Sequence, residues 1–321
     1  MRNIAIFFIS LILFLPAIGL PETKEIISEG TYSMGDGETP VVAESRALLN
    51  AKRIALEQAG TYVESYTKVE NLHLTKDEIQ VLASGIMEVE ILDKKRTIVG
   101  DGFNFWVKIK ARVNLDEIKE MADRVKEKNV AEEYKKLQES YGKLQKEIEG
   151  LKKQLVATKN KKEKKKVEAK IANEEKLFQA NEWLGKGINH FLNKEYDEAI
   201  EDYNGAIALN PKFDMAYNNR GVAYADKGQY DRAIEDYNRA IEINPKFADA
   251  YYNRGNAYVK KGQYDRAIED YNRAIEINPK YADAYMNRGL THETLGNRAK
   301  AITDFQKACE MGVKKACKEL Y

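Results

Sequence analysis

The sequence predicts a multidomain chain: a small α+β domain first, then a long, coiled-coil-like helical linker, then an all-α solenoid of four helix pairs. Three observations carry this reading. From Ala180 to about Lys315 the chain repeats every 34 residues, most clearly in AYNNRGVAYADKGQYDRAIEDYNRAIEINP and AYYNRGNAYVKKGQYDRAIEDYNRAIEINP, which end at Pro245 and Pro279. Self-similarity at that period marks a stacked array of helix pairs. Over residues 22–115 an alanine-rich helical pattern is framed by segments of period-two alternation, and over 116–179 apolar residues step by three and four.

Composition narrows the function before any motif is read. The 321 residues leave room for two or more domains, and 52 basic against 51 acidic side chains argue against a general nucleic-acid binder. Three scattered histidines and two cysteines offer little for a metal site, so no metal or cofactor is expected. No Walker loop, zinc spacing or nucleophile elbow is present, and no catalytic residue is assigned. The composition points to an interaction protein and not to an enzyme.

Residues 1–19 read as a secretory signal. Arg2 supplies the positive start, Ile4 to Leu15 is an apolar run, and Ala17-Ile18-Gly19 places small residues at a cleavage position. The run is shorter than the roughly 20 residues of a spanning helix. No cysteine follows it, which excludes lipoprotein processing. The expectation is an exported, periplasmic or secreted protein, the alternative being an uncleaved anchor in the inner membrane.

Residues 22–115 follow the order strand, helix, helix, strand, strand. Glu25 to Met34 forms the first strand, and Ala43, Ala47, Ala51, Ala55 and Ala59 make a ridge on one face of the first helix. Thr75 and Glu78 form a capping box for a short helix ending near Gly85. Met87, Val89 and Ile91 alternate with Glu88, Glu90 and Leu92. After the turn signal Asp101-Gly102, the residues Phe103, Phe105, Val107, Ile109, Ala111 and Val113 define one apolar face of an antiparallel strand. The stretches ALLNAKRIALEQAGTYVES, LTKDEIQVLASGI and DGFNFWVKIKARV resemble the FlgT N-terminal domain and related small surface lipoproteins. The resemblance implies a cell-envelope location with an assembly or scaffolding role, and brings no catalytic residues.

Residues 116–179 form one long helical pattern. Tyr134, Leu137, Tyr141, Leu144, Ile148, Leu151 and Leu155 make a heptad seam, weakened by Gly142 and Gly150, which dissolves into the run KNKKEKKK at 159–166. The seam fits homo-oligomerisation through residues 116–158. It equally fits a helix packing back on its own chain, or a solvated spacer. The lysine run is interrupted by Glu163 and lacks aromatic residues, which favours a solvated face over a lipid or nucleic-acid contact.

The repeats over 180–315 closely resemble the tetratricopeptide repeat (TPR) family. A large residue (Trp183, Tyr217, Tyr251, Tyr285) precedes a glycine by four (Gly187, Gly221, Gly255, Gly289), and the second helix carries Ala199, Ala233, Ala267 or Ala301 with Tyr203, Tyr237, Tyr271 or Phe305. Ala206, Ala240, Ala274 and Ala308 follow, and Pro211, Pro245 and Pro279 close the units. Small residues let helices approach, the aromatic ring fills the remaining space, and Asn-Pro ends the second helix. Repeat one lacks the Asn-Arg pair and repeat four has Val313 in place of proline, as terminal units of an array do.

The resemblance implies that the first helices line a concave groove for a peptide or partner segment. Asn219, Asn253 and Asn287, 34 apart, fall where family members carry an asparagine ladder, and Asn256 lies one turn after Asn253. A primary amide both donates and accepts, so it can pair with a peptide backbone whatever the side chains are. The plainer alternative is that the amides only solvate the groove. Gly185 holds the ladder position in repeat one, so the ladder is expected to start at repeat two. Arg220, Arg254 and Arg288 point about 100° away from the asparagines, and are expected to pair with repeat acids such as Asp236 or Asp270.

Cys309 and Cys317 would lie about 12 Å apart on an unbroken helix, beyond disulfide reach, but Gly312 can fold residues 314–320 back as a capping helix. The spacing resembles exported Sel-like repeats, in which such pairs bridge neighbouring helices. That resemblance implies a disulfide in an oxidising compartment; two buried thiols are the alternative.

The expected function is therefore an exported interaction scaffold or adaptor that holds an extended protein or peptide segment in the groove. It would be non-enzymatic, would bind no nucleic acid, and would touch a membrane only through an uncleaved signal segment. The rival is a structural oligomer of the cell envelope, in which the helical linker and N-terminal module self-associate. A hydrolase of envelope polymer is a third reading, for which no nucleophile–base pair is visible.

Overall fold

The computed structural model describes residues 23–35, 40–69, 74–100, 102–114, 118, 121, 122, 125 and 130–320. The expected signal segment and its cleavage position lie outside the described residues. The protein is mostly helical, with a small three-stranded sheet near its N-terminal end and a solenoid of helix pairs at its C-terminal end.

The sheet has the order β1-β3-β2, with β1 (Thr23–Ser33), β2 (Met87–Val99) and β3 (Gly102–Asn114). Both pairings are antiparallel, and β2 carries one extra residue, Leu92, between Ile91 and Asp93. Helix α1 (Pro40–Val69) lies across β1 and β3, and its five ridge alanines have no exposed surface. The approach is close enough that a Cβ on Gly30 of β1 would stand 2.1 Å from the Ala47 carbonyl oxygen. Only glycine fits there. Helix α2 (Lys76–Gly85) begins at the Thr75–Glu78 capping box, with both reciprocal bonds formed. The turn from β2 to β3 passes through Gly100 at φ +59°.

The linker is not one helix. Helix α3 (Val130–Ala157) and helix α4 (Lys161–Leu192) are separated by a break at which Asn160 caps α4 through Lys162 N and Glu163 N. Leu137, Leu144, Ile148 and Leu155 of the seam are buried within this α3–α4 hairpin, where Tyr141 meets Phe178 edge-on at 5.2 Å between ring centroids. Leu155 packs with Val167 and Ile171. The expected seam is thus covered by the chain's own next helix. Of the arrangements the seam allows, the structure shows the helix packing back on its own chain, and apolar area covered in this way leaves less drive to pair a second copy through Leu137, Leu144, Ile148 and Leu155. The boundary expected at residue 180 also falls inside α4, whose last turns are the first helix of repeat one.

The repeats then run α5 (Tyr196–Leu209), α6 (Asp214–Asp226) with α7 (Tyr230–Ile243), α8 (Ala248–Lys260) with α9 (Tyr264–Ile277), and α10 (Ala282–Thr294) with α11 (Arg298–Glu310). A five-residue helix, α12 (Lys314–Lys318), ends the array. Glycine-on-aromatic packing recurs in every pair: Tyr203, Tyr237, Tyr271 and Phe305 are buried beneath Gly187, Gly221, Gly255 and Gly289. One hydrophobic core runs from Ile26 and the α1 alanines through Leu137, Leu184 and Phe191 to Ala223 in the second repeat. Polar bonds cross the same junction. Lys152 of α3 donates to the Tyr32 hydroxyl of β1 at 2.7 Å, and Ser84 of α2 donates to Asn189 Oδ1 of α4 at 3.1 Å. Sheet, hairpin and first repeats are therefore packed as one body, not strung on a spacer.

Candidate functional site: the concave groove

Helices α6, α8 and α10, the first of each pair, share one side of the solenoid and line a groove of about 1260 Å³. The N-terminal turns of α3 close one end of it: Val130, Glu133 and Lys136 are in its wall. This follows from Gly185. With no side chain at the ladder position of repeat one, α3 comes down onto α4 there, and a Cβ on Gly185 would meet Leu137 at 3.3 Å. The chain itself fills the concave side of repeat one.

The expected ladder residues are all in the groove wall, but they are not equivalent. Asn219 is buried and donates to Glu133 Oε2 at 2.9 Å, while its own Oδ1 accepts from Asn218 at 3.1 Å. It is therefore engaged by the chain on both sides. Asn253 donates to Asn218 Oδ1 at 3.1 Å, and Asn287 donates to the Tyr252 hydroxyl at 3.0 Å and to Asn256 Oδ1 at 2.9 Å. Asn256 also accepts from the Tyr271 hydroxyl at 2.7 Å. The amides form two bonded groups along the groove floor, Asn219–Asn218–Asn253 and Asn287–Asn256. Asn253 and Asn287 are half-buried, and neither Oδ1 receives a donor among the described residues.

Acidic groups that sequence reading missed stand beside these amides. Burial, reinforced by the neighbouring Asp249, pushes the Glu133 carboxyl up to about 8. Burial also raises Asp249, against the opposing hydrogen bond from the Tyr281 hydroxyl, and raises Asp283. The Tyr252 and Tyr281 rings lie 4.9 Å apart in the same wall. Asp249 and Asp283 recur 34 apart, with Met215 at the corresponding position of repeat two, a periodic signal that could have flagged the two acids. Glu133 has no such signal, since only the fold of the α3–α4 hairpin brings it to Asn219.

The arginines that follow each asparagine face away, as helical spacing requires. Arg220, Arg254 and Arg288 each make two parallel bonds, to Asp236, Asp270 and Asp304, at 2.5–2.9 Å. They hold helix pairs together and are not groove residues. At the far end, Cys309 and Cys317 are joined by a disulfide, with Cα atoms 4.9 Å apart, after Gly312 turns the chain at φ +94°. Among the described residues, no group of three or more histidine, cysteine, aspartate or glutamate side chains is placed to hold a metal ion. No helix among them is long and apolar enough to cross a membrane.

Known family models match the repeats. One described as TPR repeat matches residues 190–228, 223–262 and 255–296, and a Tetratricopeptide repeat model matches 282–311. Among solved structures, MamA is 33% identical over 48% of this chain and 86% of its own, with a TM-score of 0.40. The first TPR domain of Spaghetti (RPAP3), solved with the HSP90 peptide SRMEEVD, is 28% identical over 37% of this chain and 95% of its own, with a TM-score of 0.37. The Arabidopsis OM64 TPR domain is 24% identical over 37% and 98%, also at 0.37. No curated protein matches the chain.

Proposed function

Since this chain belongs to the tetratricopeptide-repeat family through residues 190–311, we propose that it is an interaction scaffold whose groove holds an extended segment of a protein partner. The observation that carries this reading is the half-buried pair Asn253 and Asn287, one repeat apart on the floor of an open groove. Each keeps a carbonyl oxygen that can accept from a peptide N–H. The groove, at about 1260 Å³, exceeds the roughly 300–1,000 Å³ usual for small-molecule sites, which favours a chain segment as its occupant.

Binding would begin at repeat two's far side, because α3 and Glu133 already occupy the space over repeat one and Asn219. The working ladder is then Asn253, Asn256 and Asn287. An exported setting belongs to the same proposal. It is supported by the signal-like residues 1–19 and by the Cys309–Cys317 bridge, a bond type that persists in oxidising compartments.

A photo-crosslinking residue at Leu290, in the groove wall, tests this against one at Arg239, exposed on a second helix. The proposal expects a protein adduct from position 290 and none from 239. Adducts from 239 alone would move binding to the outer surface and overturn it.

A further inference from the structure

Strand β2 is left at the edge of the sheet with most of its length uncovered. It is bonded to β3 on one side, and among the described residues nothing pairs with its other side. Every residue from Glu90 to Val99 is exposed, including Ile91 (47%), Leu92 (42%), Ile98 (77%) and Val99 (63%). An open edge of this length presents a row of unpaired backbone N–H and C=O groups and is a ready template for another strand.

The side chains on that edge are sorted by charge. Glu88 and Glu90 precede Leu92, and Lys94, Lys95 and Arg96 come after it, directly following Asp93. An antiparallel copy of the same strand, turned about a two-fold axis, sets the acidic half of each against the basic half of the other. We propose that two copies of this chain associate by antiparallel pairing of β2 with β2, forming one continuous six-stranded sheet.

The extra residue Leu92 selects the register. Before it, Met87, Val89 and Ile91 share the face of Val113, Ala111 and Ile109; after it, that face passes to Lys94, Arg96 and Ile98. The even-numbered residues therefore point outward on one side of the bulge and inward on the other. Residues opposite each other in a sheet must share a face. With the axis between Leu92 and Asp93, Glu90 stands opposite the partner's Lys95 on the outer face, and Met87 opposite the partner's Ile98 on the inner face. A slip of one residue puts inner against outer side chains. A slip of two sets Glu90 opposite the partner's Asp93 in one direction and the partner's Thr97 in the other.

Lysines and a bulge on an edge ordinarily discourage pairing. Here the same devices refuse strands without the complementary acids and leave the two-fold copy as the match. Because the pairing is isologous it closes at two and does not propagate into fibres.

The test is the mass of the full chain in solution across a concentration series, by light scattering and sedimentation. Wild type should reach twice the chain mass. Glu90→Lys and Lys95→Glu, both at exposed positions, should each weaken dimerisation by about tenfold or more, since like charges then face across the axis. The combined Glu90→Lys/Lys95→Glu chain should recover the dimer, and Glu90→Cys/Lys95→Cys should give a covalent dimer on mild oxidation. The two positions are too far apart on one strand to bridge within a chain. A wild type that stays monomeric, or a dimer indifferent to both single reversals, would overturn the proposal. Failure of the combined chain to recover would reject the register and with it the pairing.

Discussion

Asn219 gives an amide hydrogen to Glu133 at 2.9 Å, across 86 positions of sequence. The contact ties the first turn of α3 to the groove floor and decides which repeats remain open to a partner. It also places a carboxyl group where burial raises it to about 8.

A pH dependence follows from that shift. The folded pKa of Glu133 is raised above its unfolded value of 4.5, so the stability this group contributes is full below about pH 4.5. It is lost as pH rises through about 8. Burial leads the shift and Asp249 and Glu132 reinforce it, while the hydrogen bond from Asn219 and the charge of Lys136 oppose it. Glu133→Gln keeps an acceptor for Asn219 and removes the charge. Denaturant unfolding should show the variant equal to wild type near pH 4 and more stable by on the order of 1–2 kcal/mol near pH 9.

The arginine–aspartate pairs make a second prediction. Arg254 Nε and Nη2 bond the two oxygens of Asp270 at 2.8 and 2.6 Å, with the carboxylate side chain 6% exposed. Arg254→Ala leaves that charge buried without its partner and should cost about 2–4 kcal/mol, read as a fall in the unfolding midpoint. Arg254→Lys should recover less than half of this, because one ammonium cannot match both oxygens.

Lys194 gives a third. It holds φ +62° at the place where later repeats have Gly228, Gly262 and Gly296 at φ +70° to +76°. A non-glycine residue in that region costs about 1 kcal/mol or more. Lys194→Gly should therefore raise the thermal midpoint, a rare case in which adding glycine stabilises.

The contrast between Asn219 and Arg220 shows what the sequence made legible. Arg220 and its counterparts could be assigned to the repeat acids because helical geometry sets neighbours about 100° apart, and that argument is local. The glycine–aromatic contacts and the N-terminal element order were legible for the same reason, since spacing within one element or one repeat determines them. The fate of Asn219 was not. It depends on α3 folding back at residues 158–160 and descending onto Gly185, and no pattern inside either segment encodes that meeting. The heptad seam left its partner open for the same reason: Leu137, Leu144 and Ile148 define an apolar stripe, but a stripe does not say which helix covers it.

In the proposed groove, Asn253 and Asn287 hold an extended peptide. The most direct measurement is peptide affinity of the full chain, using unstructured peptides selected on wild type from a random display library, beside Asn253→Ala/Asn287→Ala with its thermal midpoint recorded. Loss of two backbone-directed bonds should weaken the selected peptides by about tenfold or more, with the fold retained. Equal affinity for both proteins would contradict the ladder and place binding on another surface of the repeats.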